Sequence, residues 1–130
     1  MGGLYVDTSA AGRLLLGEPD APAIVRRLRE FDVHVASRLL RVELRRLAMR
    51  EGVLAQADQL LSAIALVPLD DAVLDAAETI GPATVATLDA IHLVTAVRLS
   101  HAGKIDALMT YDVRRAGGAR DHDLAVIAPG

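Results

Sequence analysis

The sequence has no cysteine and no tryptophan, and its aromatic residues are Phe31, Tyr5 and Tyr111 alone. Without cysteine the chain can form no disulfide, offer no thiolate nucleophile and build no cysteine-type zinc site. That fits a reducing compartment. Lysine is nearly absent as well: Lys104 is the single lysine among 14 basic residues. No long apolar run occurs, because Arg and Asp interrupt every hydrophobic segment, so no membrane span is expected. The N-terminal MGGLYVDTSA has neither a basic run nor a long apolar stretch, so no signal peptide is expected. Val6 stands where a myristoylation signal needs Ser or Thr. These absences describe a soluble, cytoplasmic protein.

What is present is a chain of 130 residues, 52% of them hydrophobic and mostly Ala, Leu and Val. The length argues for one domain over residues 1–130, with a core large enough to need no covalent staples. A net charge of −3 argues against a general nucleic-acid-binding protein. The arginines are nevertheless grouped. Arg38, Arg41, Arg45, Arg46 and Arg50 form one set, and Arg114, Arg115 and Arg120 a second. The planar guanidinium suits phosphate recognition, although on the charges alone a solvated helix face is the favoured reading of such a run.

Leu4-Tyr5-Val6 is a short apolar run ending at Asp7 and reads as a buried strand. Ser9 is positioned to cap a helix over about 10–16, and Asp20 a second one to about Glu30, with Pro22 tolerated in its first turn. A strand over 33–36 precedes helices over about 38–50 and 53–64, separated by Gly52. Leu66-Val67-Pro68-Leu69 is a strand that Pro68 confines to a sheet edge. Asp70 caps a helix to about Ile80, ended by Gly81-Pro82, and 86–100 is a helix apolar nearly all round, hence buried. Strands over 105–110 and 124–127 complete the chain. Alternating strands and helices imply an α/β domain with a largely parallel sheet.

Four acids carry the chemistry. In an open parallel sheet, ligands bind beyond the carboxyl ends of strands, and Asp7 and Asp112 sit at two such ends. Each taken alone is equally a helix cap or turn residue. Glu43 shares a helix face with Leu39, Leu40 and Leu47 and so points partly inward, where its charge needs a partner; Arg46 at i+3 is one option. Asp89 lies one turn into the buried helix, with Val85, Leu93 and Ala96 on its face. His92, at i+3 from Asp89, could pair with it or be a structural histidine. Converging carboxylates repel until a proton or cation enters. An all-oxygen ligand set selects a hard cation, magnesium or manganese, which suits phosphoryl-transfer chemistry. Bringing the four acids together is a fold-level expectation rather than a consequence of spacing.

The segments around these acids, LYVDTSA, SRLLRVELRR, TLDAIHLVTA and MTYDVRRAGGARDHDLAVIAPG, resemble the VapC group of PIN-domain proteins, in that family's order and over nearly the whole chain. The LDAIHL block together with the C-terminal TYD is the specific part. The resemblance implies a three-layer α/β/α sandwich. It implies a magnesium-dependent endoribonuclease, with manganese as a substitute, that acts as the toxin of a type II toxin–antitoxin pair. It places metal-holding and catalytic roles on Asp7, Glu43, Asp89 and Asp112, with Asp7 and Asp89 the first ligands, Asp112 next, and Glu43 acting directly or through water. Thr8 and Ser9 stand where the family often has a hydroxyl near the metal. It also implies a VapB-type antitoxin partner, which lays a helix in an apolar groove and a basic side chain near the acids, and a homodimer. The helices over 10–16 and 53–64 are candidate surfaces, with core packing the alternative.

One departure concerns the residues after Asp112. Many family members carry another Asp or Asn there, whereas this chain has Val113, Arg114 and Arg115, so one metal is as consistent as two. The expected reaction is in-line attack on an RNA phosphodiester by metal-activated water. Tyr111, beside Asp112, is the one candidate for stacking on a base, against an alternative role in the core. The alternative function is a catalytically inactive PIN module that binds RNA or protein, although none of the four acids is missing. A haloacid-type phosphatase would want Asp-x-Asp where Asp7-Thr8-Ser9 stands, and a receiver domain would want paired acids near the first strand.

Overall fold

The computed structural model describes residues 2–130; Met1, the first residue of the segment considered above for a signal peptide, lies outside them. The elements are β1 (Gly3–Val6), α1 (Thr8–Leu15), α2 (Ala21–Leu28), β2 (Val33–Ser37), α3 (Leu39–Glu51), α4 (Leu54–Leu61), β3 (Ala65–Val67), α5 (Asp71–Ala77), α6 (Thr87–His101), β4 (Ala107–Met109), α7 (Val113–Asp121) and β5 (Val126–Ile127). The five strands form one sheet in the order β3-β2-β1-β4-β5, and every pairing is parallel. A parallel sheet must be covered on both faces, which explains why the central strand, Gly3–Val6, is a continuous buried run rather than an alternating one.

The connections decide the layering. From β1 the chain moves outward through β2 to β3, then returns across the sheet to β4 and moves the other way to β5. Right-handed crossovers in opposite directions put their helices on opposite faces. The contacts agree: α1 to α4 pack among themselves, and α6 packs between α5 and α7. The result is the three-layer α/β/α sandwich that the family resemblance implies. The main core joins Leu4, Tyr5 and Val6 to Ile24, Leu40, Leu44, Leu108 and Met109. A smaller cluster of Val73, Ile91 and Val94 seals α5 against α6. Among the described residues, no helix is long and apolar enough to cross a membrane.

Several local expectations need correction. The cap of α1 is Asp7 rather than Ser9: the strand passes straight into the helix, and the Asp7 side chain accepts from the Ser9 N–H. Asp20 stands at the N-cap of α2 but makes no capping bond, because its carboxylate pairs with Arg13 instead. Asp70 does cap α5, accepting from the Val73 N–H at 2.9 Å, but that helix ends at Ala77, short of Ile80. The strand containing Leu66 is an edge strand that stops before Pro68, as the missing proline N–H requires.

The largest omission is α7. Its VRRAGGARD sequence contains two adjacent glycines and little apolar periodicity, so intrinsic propensity does not reveal it. Packing supplies what propensity lacks. Ala116 and Ala119 are buried, and a Cβ at Gly118 would stand 3.1 Å from the Leu93 side chain on α6. The small face of α7 is therefore what lets it lie close against α6.

Candidate active site

Strand order reverses between β1 and β4, and ligands of open α/β sheets bind in the crevice outside such a reversal. Asp7 follows β1 directly, and Thr110, Tyr111 and Asp112 follow β4. Glu43 arrives from α3, Asp89 from the first turn of α6, and Arg115 from the first turn of α7.

Asp7 is completely buried, and its two oxygens have different duties. Oδ2 accepts from the Ser9 hydroxyl at 2.7 Å, the Thr110 hydroxyl at 2.8 Å and the Ser9 N–H at 3.3 Å. Those hydroxyls are themselves oriented by the loop after β4, accepting from the N–H groups of Tyr111 at 2.8 Å and Asp112 at 3.0 Å. Oδ1 accepts from Nη1 of Arg115. Burial opposes the Asp7 charge, but the Arg115 guanidinium, His92 and the two hydroxyls outweigh it and hold the carboxyl below its ordinary range.

Glu43 follows the same pattern. Its Oε1 accepts from the Thr8 hydroxyl at 2.7 Å and pairs with Nε2 of His92 at 2.6 Å. Burial again opposes the charge, and the bonds to His92 and Thr8, with Arg115 nearby, bring its pKa below the ordinary value. Behind His92, Nδ1 lies 2.7 Å from the Tyr5 hydroxyl, which accepts the Ser37 N–H at 3.0 Å. The phenol thus sits between the Ser37 N–H, which it accepts, and the His92 ring. On a neutral ring the Tyr5 O–H donates to Nδ1 and Nε2–H donates to Glu43; on a protonated ring Nε2–H donates to Glu43 just the same. Burial also pushes the Tyr5 phenol above its usual range, which keeps it a donor. His92 is thus the partner of Glu43 rather than of Asp89. Arg46, weighed above as that partner, is exposed on α3.

Asp89 is buried and accepts from Nε of Arg115. Asp112 is half-buried and caps α7, accepting from the Arg115 N–H at 3.0 Å. Its carboxylate joins Thr8, Ser9, Glu43 and Arg115 on the wall of an open cleft of about 520 Å³. Arg115, a site residue missed by the sequence reading, is only 12% exposed and reaches Asp7, Asp89 and, at 3.8 Å from Nη2, Oε2 of Glu43. Burial disfavours its charge, but Asp7 and Asp89 more than compensate, and its pKa rises above the usual arginine range. The signal in the sequence was the Asp-x-x-Arg spacing after a strand end. If Asp112 is read as an N-cap, the side chain three residues on belongs to the first helical turn beside it.

The donor set can be tested for a metal. As the side chains stand, no three His, Asp or Glu groups among the described residues are placed to share one ion, because a guanidinium lies between the carboxylates. Yet Oδ1 of Asp7, Oδ1 of Asp89 and Oε2 of Glu43 all face that guanidinium. With the guanidinium displaced, the three carboxylates present a concentrated negative charge made of oxygen atoms alone. The chemistry fits a hard, oxygen-liganded ion once Arg115 moves.

Acids gathered at the switch point of a parallel five-stranded sheet define an α/β protein with its site at the carboxyl ends of the strands. The PIN domain family matches residues 4–116, and the chain belongs to that family, within its VapC group. It is 37% identical to ribonuclease VapC47 of Mycobacterium tuberculosis (strain CDC 1551 / Oshkosh), covering 98% of this chain and 97% of the relative. It is 38% identical to ribonuclease VapC46 of Mycobacterium tuberculosis (strain ATCC 25618 / H37Rv), covering 99% of both. Among solved structures, the fold matches a chain of VapBC2 from Rickettsia felis, crystallised bound to a DNA fragment from their promoter. That match has a TM-score of 0.71 at 13% identity, over 98% of this chain and 99% of that one.

Proposed function

We propose that the chain is a single-domain, magnesium-dependent endoribonuclease, the toxin of a type II toxin–antitoxin pair, in which Asp7, Glu43, Asp89 and Asp112 form the catalytic site. The carrying observation is the division of labour within the carboxylates. Asp7 and Glu43 each have one oxygen bound by the protein's own donors and the other turned, like that of Asp89, toward a common point. That is how a fold preorganises ligands for a cation. Asp7 and Asp89 would hold the ion, with Glu43 and Asp112 on its flanks. Bound there, a divalent cation would supply Lewis acidity and charge neutralisation for attack on a phosphodiester.

The residues of this chain do the rest. Ser9 and Thr110 fix Asp7 in one rotamer, and Thr8 and the Tyr5–His92 pair fix Glu43 beside the cleft. RNA would enter from that open side, where arginines outnumber aromatics. Tyr111 is half-buried with the Arg13 guanidinium 4.1 Å from its ring centroid, so that face is already covered and gives stacking little room. The curated relatives are named ribonucleases, and the structural neighbour is a VapBC assembly. Those names support an RNA substrate and a VapB-type antitoxin, and we infer a cytoplasmic location with them. The apolar groove between α1, α2 and α4, lined by Leu14, Leu15, Val25, Leu28 and Leu60, is the surface we assign to the antitoxin helix. A homodimer is part of the same proposal. The inactive-module alternative is not favoured, because all four acids are present, with Asp7, Glu43 and Asp89 around the Arg115 guanidinium and Asp112 bound to the Arg115 N–H.

The test is cleavage of an RNA pool by the purified, partner-free chain in magnesium and in EDTA, beside Asp7→Asn and Asp89→Asn. Cleavage should need magnesium and fall by roughly 100-fold or more in each variant. Equal cleavage by wild type and variants would place the activity elsewhere, in another site or a contaminant.

A further inference from the structure

Arg115 is more than a neighbour of the acids. Its Nη1 binds Oδ1 of Asp7 and its Nε binds Oδ1 of Asp89, and these are the oxygens a shared cation would need. The alternative oxygen of Asp7 cannot serve, because Ser9 and Thr110 already fill it. Oε1 of Glu43 is likewise committed to Thr8 and His92, leaving Oε2 toward the guanidinium. Asp7 therefore has no oxygen left for a metal ion while Arg115 holds Oδ1.

We infer that Arg115 is the resident counter-cation of the metal-free site, and that a divalent ion binds by displacing its guanidinium from Asp7 and Asp89. The inference rests on the metal-dependent reading given above. Two features make the exchange feasible. The Arg115 backbone is anchored independently of its side chain, through its N–H to the Asp112 carboxylate, so the helix need not move. The side chain also borders an open cleft of about 520 Å³, which gives the guanidinium somewhere to go. The physical logic is that buried carboxylates are too costly to leave bare. A built-in cation keeps the empty site folded, at the expense of metal affinity, because only the fraction of molecules with the latch open can bind the ion.

The experiment measures manganese affinity by calorimetry for the wild-type chain and for Arg115→Gln, without RNA. In parallel, the Arg115 side-chain N–H is followed in a ¹⁵N-edited NMR spectrum of wild type during magnesium addition. Arg115→Gln should bind manganese about tenfold more tightly, as expected for a latch closed about nine-tenths of the time. The wild-type Nε–H signal, protected without metal, should pass into fast exchange with water as magnesium saturates. Equal or weaker manganese binding by Arg115→Gln would overturn the inference while leaving the metal site standing. So would an Nε–H that stays protected at saturating magnesium, since it would show Arg115 and the ion side by side. Failure of both proteins to bind manganese would overturn the metal-dependent reading and the inference with it. Should Arg115→Gln not fold, the wild-type titration decides alone.

Discussion

Two helices carry most of the clustered arginine, and they use it in opposite ways. On and just before α3, Arg38, Arg46 and Arg50 are exposed, Arg41 and Arg45 are half-buried, and Arg45 pairs with Asp58 of α4 at the surface. On α7, Arg114 and Arg120 are exposed, but Arg115 between them is 12% exposed and bound to two buried carboxylates. Five arginines in one stretch look more significant in a sequence than three. The number is misleading, and the phase relative to a strand end is what matters. Arg115 is in the first turn after the capping Asp112, so its side chain lies at the end of the sheet where Asp7 also emerges. The arginines of α3 share no such registration.

The sharpest way to break this contrast is to remove the buried arginine. Arg115→Gln leaves Asp7 and Asp89 without their counter-charge. The metal-free protein should lose about 3 kcal/mol, the scale of breaking a buried pair by removing one partner. Magnesium should restore most of that loss, because ligand binding to the folded state alone stabilises it. Urea unfolding in EDTA and in magnesium reads both numbers. A variant as stable as wild type in EDTA would mean that the carboxylates were never in need of Arg115.

The same contrast explains what was legible in the sequence. Asp7 could be found because it ends an apolar run, and Glu43 because it shares a helix face with Leu39, Leu40 and Leu47, of which Leu40 is buried and the other two half-buried. The alternation of strands with helices gave the parallel α/β class, since that pattern is local and periodic. The pairing of Glu43 with His92 was not visible, because residues 49 apart meet only through the packing of α6 over β2. Nor was Arg115, since α7 owes its existence to the close approach of Gly118 to Leu93 rather than to its own propensity. The last two strands, expected over 105–110 and 124–127, run only over Ala107–Met109 and Val126–Ile127: ladder ends depend on the neighbouring strand, which a single segment does not contain.

A second comparison lies between the two arms that hold the carboxylates. Asp7 is fixed by hydroxyls of its own loop and of the β4 loop, whereas Glu43 depends on a buried relay through His92 and Tyr5. Tyr5→Phe cuts that relay and orphans the Ser37 N–H at the end of β2. The expected cost is about 1–3 kcal/mol, the price of a buried donor left without a partner. Chemical denaturation gives the stability change, and the chemical shifts of His92 report its ring losing the Tyr5 donor. An unchanged His92 spectrum would show that Nδ1 was never held by Tyr5.

The smallest effect is expected where the arginines are most numerous. Arg45→Gln removes the ion pair with Asp58, whose side chains are 33% and 46% exposed. Exposed pairs of this kind contribute about 0–1 kcal/mol, because solvent screens the attraction and ordering two long side chains offsets it. Manganese affinity should be unaltered, since Arg45 pairs with Asp58 of α4 rather than with any of the four acids. If Arg45→Gln changed manganese affinity as much as Arg115→Gln, the long-range field of the arginines would govern the cation. The direct occupation of Asp7 and Asp89 by one guanidinium would then no longer distinguish α7 from α3.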